Sequence, residues 1–316
     1  MVSYNKRKTL RDAQKKCAYS HGRWNAKVEQ GLASRKVSKI DRKRLEALLG
    51  LRAYQGAIKA SDLAAARRLS REYVNVIHAY HKSVPGLRWF HITLLADEFI
   101  LSERTPRLML KRLKGKTYKA IREIGLDGVA CVEINPLPNH PQRGKGGSLL
   151  SHVHVLGFTE RPFDLPSARK KLAASRSWSC GFGAKPTHIH EITDRIGNPA
   201  FWAAYDSKGP HEAKNHYVQD DGSVKLISTE KGYRDNVALR LAEGLSHIAR
   251  GDLFFSIGEG KEMREEVMRR VVRWHKKRWS DQKPIKDFLT RKLWKRVWKK
   301  GRTKGYRSWS IIGSSL

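Results

Sequence analysis

Acidic residues are scarce in this sequence relative to basic ones. Of the 316 residues, 30 are Asp or Glu and 64 are Lys or Arg, which gives a formal net charge of +34. Such an excess is typical of proteins whose partner is a polyanion, because binding releases the counterions of that partner. An anionic membrane surface is the rival partner, but nothing in the sequence reads as a lipid anchor. The composition therefore predicts a nucleic-acid-binding protein.

Cysteines and long apolar runs are also few. Cys17, Cys131 and Cys180 are odd in number and far apart, which argues for free thiols in a reducing compartment. No CxxC pair exists, which excludes a cysteine-based zinc site. No uncharged apolar run approaches the roughly 18 residues that span a bilayer, and the basic start lacks the apolar core of a signal peptide. We therefore expect a cytoplasmic location and no membrane segment.

Charge and periodicity divide the chain into three parts. Residues 1–85 are basic and helical, and Pro85-Gly86 ends that pattern. Residues 86–212 carry far less net charge and mix strand-like with helix-like segments. Residues 213–316 are basic again and helical, which predicts a DNA-binding or assembly role. Outside the central part, helical periodicity is clearest over five ranges: 41–51, 61–78, 236–248, 261–279 and 285–300.

The central part predicts a β-α-β-β-α-β order followed by a further helix. The strands are expected over 87–95, 128–134, 151–158 and 187–192, and the helices over 105–124, 164–175 and 199–208. This order is that of the split βαβ, or ferredoxin-like, plan: an α+β fold with a four-stranded antiparallel sheet and two helices on one face. In that plan the second and third strands are neighbours. The other face is then expected to stay open for a site.

Two histidines and a glutamate predict a metal site on these neighbouring strands. His152 and His154 alternate with aliphatic residues in the third strand, so both imidazoles point to one face. Glu133 interrupts an apolar run in the second strand, where a buried carboxylate needs a partner such as a cation. Two imidazoles and a carboxylate suit Mg²⁺ or Mn²⁺ with positions left for a phosphate oxygen. His91 is an alternative third ligand or a DNA contact, and purely structural roles remain open.

Tyr205 and Lys208 form the second half of the candidate site. They are three residues apart on a predicted helix and so share a face. A tyrosine with a pKa near 10 attacks phosphorus poorly. A metal on the phosphate and a nearby ammonium make that attack plausible, with a 5′-phosphotyrosine link as the product. The alternative is that Tyr205 is a packed aromatic beside Phe201 and Trp202.

Together these segments resemble one family. The run Phe90-His91-Ile92-Thr93-Leu94, the His152-Val153-His154 strand and Tyr205-x-x-Lys208 are similar, in order and spacing, to motifs I, II and III of HUH endonucleases. The similarity covers residues 87–210 and is greatest to the rolling-circle replication initiators of plasmids and small phages.

The resemblance assigns a role to each residue of the site. It implies that His152 and His154 are metal ligands, with Glu133 in an acidic third-ligand position. Tyr205 would be the nicking nucleophile and Lys208 the motif III lysine. The implied activity is metal-dependent nicking and rejoining of one DNA strand.

The order of the motifs separates the initiators from related enzymes. The tyrosine follows the histidine pair, as in initiators, whereas conjugative relaxases usually place it ahead. Phe201 and Gly209 stand where a paired tyrosine would be, so one tyrosine is expected, with Tyr217 and Tyr233 as fallback nucleophiles. A single-tyrosine transposase or a mobilisation relaxase is the alternative within this chemistry. A non-catalytic binder with an RRM-like sheet is the alternative outside it.

Three further motifs carry weaker signals. His188-Ile189-His190 is a second histidine pair, which we interpret as structural or DNA-facing. Gly115-Lys116-Thr117 resembles the end of a P-loop, but Leu110 occupies the position of its first glycine and the run falls inside a predicted helix. Without an ATPase, strand separation would need a host helicase or supercoiling. The loop Arg143-Gly144-Lys145-Gly146-Gly147 is either a phosphate contact or a flexible connector.

Overall fold

The computed structural model of the chain has an α+β architecture. It describes residues 9–33, 45–46, 49–51, 57–102, 108–137, 148–181, 184–193, 197–222, 224–229, 233 and 235–281. These ranges contain a six-stranded antiparallel sheet, a separate two-stranded hairpin and seven α-helices. The helix predicted over 285–300, most of the one over 41–51 and the loop at 143–147 lie outside them.

The main sheet contains the four predicted strands and two short additional ones. Its strands are β1 (Arg88–Leu94), β2 (Ile100–Ser102), β3 (Asp127–Leu137), β4 (Ser148–Thr159), β5 (Thr187–Ile192) and β8 (Phe254–Ile257), and the hairpin consists of β6 (Ala213–Val218) and β7 (Val224–Thr229). The order across the main sheet is β5-β1-β4-β3-β8, with β2 paired to β4. The predicted second and third strands, β3 and β4, are therefore neighbours, as expected.

The strands β6, β7 and β8 lie within residues 213–316, which were predicted to be helical, so that prediction is wrong there. Helices occur at six of the predicted ranges, with different ends, and a seventh, over residues 10–33, lies where no specific range was predicted. They are α1 (Leu10–Ala33), α2 (Leu63–Ser83), α3 (Leu110–Glu123), α4 (Leu165–Ala174), α5 (Pro199–Asp206), α6 (Asp235–Leu245) and α7 (Gly260–Arg278). Side chains cap four of the N-termini, at Thr9, Asp62, Asp164 and Asn198. No helix within the described ranges combines the length and the apolarity that crossing a bilayer requires.

Both faces of the sheet are buried. Along β1, Phe90 and Ile92 point to the side that α3 and α4 cover, in a cluster that includes Ile121 and Leu172. Trp89, which precedes Phe90 in the strand, points to the opposite side. The two helices of the predicted plan thus share one face, and the opposite face bears the candidate site.

The expectation that the second face is open is wrong. Four helices, α1, α2, α5 and α7, contribute to the apolar cluster over it. On α2, Tyr73 packs edge-on against Phe254, and Tyr80 packs against Trp89 and Phe158. The basic flanking helices carry apolar stripes that need burial, and this face of the sheet is where they find it.

Residues beyond the predicted core boundary at 212 also belong to this sheet. β8 pairs with β3 from Gly128 to Cys131, and α7 begins immediately beside it. A Cβ on Gly260 would collide with the backbone of Gly128, so this close approach requires a residue without a side chain. The division at 85 and 212 stays a prediction, and the structure adds that strands and helices from outside 86–212 pack on the central sheet.

Candidate active site

Two adjacent strands bring Glu133, His152 and His154 together. Glu133 lies directly opposite His152 in the β3–β4 register, and His154 is two residues further along β4. Glu133 Oε2 is 2.8 Å from His154 Nε2 and 3.2 Å from His152 Nε2, and the two nitrogens are 3.1 Å apart. All three side chains are buried. The predicted ligand set is thus a compact triangle of one oxygen and two nitrogens.

This triangle fits a six-coordinate cation. A cation about 2.0–2.1 Å from each of three ligands at right angles places the ligand atoms roughly 3 Å apart, and the three measured edges lie around that value. Thr93 Oγ1, 3.0 Å from His154 Nδ1, can accept a hydrogen bond from a protonated Nδ1, the tautomer that leaves the Nε2 lone pair free for a cation. The three residues could therefore hold a metal ion.

The charge states of these residues favour cation binding. Burial alone would raise the pKa of the Glu133 carboxyl, but the Lys208 ammonium and hydrogen bonds from the two histidines hold it well below its usual value. Burial lowers the pKa of His154 well below its ordinary value, against the opposing hydrogen bond to Glu133. At neutral pH the site thus offers an ionised carboxylate and a neutral imidazole, which are the forms that bind metals.

Lys208 connects the metal triangle to the tyrosine. Its Nζ lies 3.3 Å from Glu133 Oε1, with both side chains buried, and 3.9 Å from the centre of the Tyr205 ring. Burial acts to lower the pKa of Lys208, but Glu133 and Tyr205 raise it overall. This lysine is therefore a fixed positive charge at the site.

One detail of the predicted Tyr205–Lys208 pair is wrong. The two residues do not share one helix, because α5 ends at Asp206 and Ser207 is its C-cap. Lys208 lies in the turn that precedes Gly209-Pro210, a sequence that cannot continue a helix. The lysine nevertheless meets the tyrosine, since its backbone N–H donates to the Tyr205 carbonyl at 3.4 Å.

Tyr205 is half-buried over the sheet. Its ring centre lies 5.3 Å from that of His154 and 5.6 Å from that of His91, in edge-on contacts. The Lys16 ammonium of α1 lies 4.7 Å from the same ring. Burial raises the pKa of the Tyr205 phenol, and Lys208 opposes that shift. The resting side chain is therefore a neutral phenol beside two ammonium groups.

His91 is paired with Asp206, a residue that the sequence did not connect with it. Its Nε2 lies 2.8 Å from Asp206 Oδ1, and both side chains are buried. Because β4 separates β1 from β3, His91 is on the opposite side of His154 from Glu133. His91, His154 and Asp206 nevertheless form a second group whose potential ligand atoms lie within 4.8 Å of one another. Glu133 is therefore the third member of the His152–His154 group, and His91 belongs to the group with Asp206.

Sequence reasoning missed residues that hold the end of α5. His21 Nε2 donates to the Ser207 carbonyl over 3.1 Å, and Ser70 Oγ lies 2.7 Å from Ser207 Oγ. Cys17 Sγ is in turn 2.9 Å from Ser70 Oγ. Burial and the charge of Arg250 lower the pKa of His21 to about 3, so it is neutral.

His21, Ser70, Cys17 and Asp206 are not part of any recognisable sequence motif. Asp206 follows Tyr205 directly in the sequence, which was the one available signal. His21, Ser70 and Arg250 reach the site only through the packing of the flanking segments. A cavity of about 60 Å³ lies beside them, between Glu133, Lys208 and His21.

The other motifs noted in the sequence lie apart from Glu133, His152 and His154. His188 and His190 occupy β5 at the edge of the sheet, with the second histidine half-buried. Gly115, Lys116 and Thr117 lie within α3, as predicted. Of the fallback nucleophiles, Tyr217 is exposed on β6, and the hydroxyl of Tyr233 donates to the Pro210 carbonyl. Tyr205 is the tyrosine of these three that contacts His154.

The chain matches no known protein-family model, no curated protein and no solved structure. Its function must therefore be inferred from its own geometry. The relevant arrangement is a phenol, an ammonium and three potential metal ligands within contact of one another.

Proposed function

We propose that this protein is a metal-dependent DNA strand transferase of the HUH type, acting as a rolling-circle replication initiator. The observation that carries the proposal is the position of Tyr205, in edge contact with the His154 ring and against the Lys208 ammonium. Tyr205, the histidine strand and Glu133 come from three separate segments of the sequence. A packed aromatic would need none of these polar neighbours.

The strand order supports the finer fold assignment. Strands β1, β3, β4 and β5 lie in the order β5-β1-β4-β3, with every neighbouring pair antiparallel. Of these four strands, the third in sequence, β4, lies between the first, β1, and the second, β3. This is the order that the split βαβ, ferredoxin-like plan requires. We propose that these four strands with α3 and α4 are an HUH core, to which β8 and the other helices are added.

In the proposed reaction, Tyr205 attacks a DNA phosphate. A cation held by Glu133, His152 and His154 would polarise a phosphate oxygen. The Tyr205 oxygen forms a bond to phosphorus while the bond from phosphorus to the 3′ oxygen breaks, leaving the 5′ phosphate on the enzyme. Lys208, already paired with Glu133, stabilises the negative charge that develops on the phenol and the phosphate.

The proton balance follows from the resting state. Because burial raises the pKa of the Tyr205 phenol, the tyrosine is protonated before it attacks. It releases this proton to solvent as the bond to phosphorus forms, and the departing 3′ oxygen takes up a proton. The net charge of the reactants is unchanged. Because the phosphotyrosine ester keeps the energy of the broken bond, attack by a 3′ hydroxyl rejoins the strand and frees Tyr205.

The partners follow from the charge. Origin DNA is the proposed polyanionic partner, with the +34 net charge held largely by the flanking regions. A host helicase would separate the strands, in the cytoplasm. A transposase or mobilisation relaxase would use the same residues and differs only in its DNA substrate. An RRM-like binder is disfavoured, because helices cover the sheet face on which bases would stack in that class.

Covalent trapping tests the proposal. The full chain is incubated with Mn²⁺ and a pool of single-stranded oligonucleotides labelled at the 3′ end, then denatured and separated by size. We expect a labelled protein–DNA adduct from the wild type. The adduct should be absent from the Tyr205→Phe variant and present in the matched control Tyr217→Phe, which alters an exposed tyrosine outside the site.

Two outcomes contradict the proposal. One is a wild-type chain that forms no adduct with any single-stranded substrate in Mn²⁺ or Mg²⁺. The other is an undiminished adduct in Tyr205→Phe. If the adduct instead disappears in Tyr217→Phe alone, the metal-dependent chemistry stands and the assigned nucleophile is wrong.

A further inference from the structure

Aromatic rings continue from the candidate active site to the edge of the sheet. The ring of His91 stacks near His154 with centres 5.4 Å apart, and it lies 4.4 Å from Trp202. Trp202 in turn lies 4.6 Å from His190, whose ring is 5.1 Å from that of His188. We call His91, Trp202, His190 and His188 the aromatic ladder. It is continuous in space although its members come from three elements.

The outer end of the ladder is accessible and basic. The β1–β5 register places His190 opposite His91 and His188 opposite Thr93. Because β5 is nearer the edge of the sheet than β1, its two histidines are less buried than His91. His188 is exposed, whereas His91 is buried and His190 is intermediate. β5 is the outermost strand of the sheet within the described residues, and the exposed His188 ring is the accessible end of the ladder.

Two exposed cations flank the outer end. Arg169 of α4 donates through Nε to the Ile189 carbonyl over 3.2 Å, and Lys185 lies three residues before His188. Burial lowers the pKa of His188, and the charges of His91, Lys185 and Arg169 lower it further. The carboxylate of β5, Glu191, is already bound by Arg88. The edge therefore presents aromatic faces with an unbalanced positive charge.

We propose that the aromatic ladder is a binding groove for the single-stranded DNA segment next to the phosphate that Tyr205 attacks. Unpaired bases would stack on His188, His190 and Trp202, and their phosphates would contact Lys185 and Arg169. The inference deepens, and rests on, the proposed strand transfer, because it gives the substrate a route from the surface to Tyr205.

Single-stranded DNA fits these features better than duplex DNA. Stacking on a protein ring requires a base that is not already stacked within a helix, and it is tolerant of sequence because every base has a π-face. Within the described residues, helices α1, α2, α5 and α7 already pack on this sheet face. Trp202, a half-buried ring of the ladder, lies 5.8 Å from the Tyr205 ring, so a strand bound at the outer end lies close to the proposed nucleophile.

Fluorescence anisotropy with a labelled oligonucleotide tests the groove. The full chain carries Tyr205→Phe in every sample and EDTA is present, so no covalent product forms. We expect His188→Ala to weaken binding of a mixed-sequence single strand by about fivefold or more, the effect of losing one stacking ring. Binding of the matching duplex should change less than twofold. The control is His247→Ala, which removes an exposed histidine outside the ladder.

Equal affinity of His188→Ala and His247→Ala for the single strand would overturn the groove, as would an equal loss for single strand and duplex. A Lys185→Ala variant gives an independent second test and should weaken single-strand binding and reduce its salt dependence. These outcomes are separable from the nicking proposal. If the wild type forms no adduct but His188→Ala weakens single-strand binding, the groove is supported and the nuclease proposal is wrong. If the wild type forms the adduct and His188→Ala binds normally, only the groove proposal is wrong.

Discussion

The chain contains the same short pattern, His-x-His, on two strands of one sheet, and the two copies have different surroundings. On β4, His152 and His154 lie in the middle of the sheet, buried, with Glu133 on the neighbouring strand. On β5, His188 and His190 lie at the edge, and the nearest carboxylate along the strand, Glu191, points to the other face and binds Arg88.

The difference shows that the neighbouring strand decides what a histidine pair can do. Both pairs have their rings on one face, and burial lowers the pKa of His154 on β4 and of both histidines on β5. Only the β4 pair has an ionised carboxylate within 3.2 Å of both imidazoles. A metal site needs that third ligand, whereas an edge pair without it offers aromatic surface.

The largest effect should come from the carboxylate itself. Glu133→Gln leaves the buried Lys208 ammonium without its partner, and we expect the free energy of unfolding to fall by about 3–5 kcal/mol. Glu191→Gln, the matched change on β5, breaks a partly exposed pair and should cost about 1 kcal/mol or less. Urea unfolding followed by circular dichroism measures both. Equal losses in the two variants would show that the Glu133–Lys208 pair is not desolvated.

The next effect concerns metal affinity. His154→Ala removes a proposed ligand, and we expect Mn²⁺ binding to weaken by at least about 100-fold, since even the loss of a residue that orients a ligand costs 10–100-fold. His190→Ala should leave Mn²⁺ affinity within about twofold of the wild type. Electron paramagnetic resonance of free Mn²⁺ in titrations provides the measurement. If His190→Ala loses as much affinity as His154→Ala, the site assignment is wrong.

The smallest effect is on acid stability. Burial lowers the pKa of His154 well below 6.5 and that of His190 to about 3, so the unfolded chain binds protons that the folded chain excludes. Their contribution to stability is complete above pH 6.5. It is lost progressively as the pH falls from 6.5 towards the lower pKa values of the folded chain. We expect the wild-type Tm to fall by several degrees between pH 7.5 and pH 5, and His190→Gln to reduce that fall. An unchanged Tm over this range would contradict the assigned burial.

Local patterns were sufficient to predict much of the core and the site. The alternation in β4 and the interrupted apolar run in β3 correctly predicted neighbouring strands with Glu133 beside the histidine pair. The Gly209-Pro210 stop was read correctly, although α5 ends earlier than expected and Lys208 lies beyond it. The metal, the nucleophile and the DNA partner stay predictions.

Other features depend on contacts that no local pattern reports. The pairing of His91 with Asp206 joins residues 115 positions apart. The contacts of His21 and Ser70 with Ser207 join segments even more distant in sequence. β8 has four residues, too few for a reliable alternation, and the cover over the site face comes from helices whose apolar stripes do not specify which surface they bury.

The position of β8 has a consequence for synthesis of the chain. This strand occupies the free edge of β3, yet more than a hundred residues separate it from the end of β3 in the sequence. While a ribosome makes the chain, β3 therefore emerges long before its outer neighbour exists, with backbone N–H and C=O groups unpaired along the part of the edge that β8 later covers. Until residues 254–257 have been made, that edge is a surface on which a nascent chain can pair wrongly or be recognised by a chaperone.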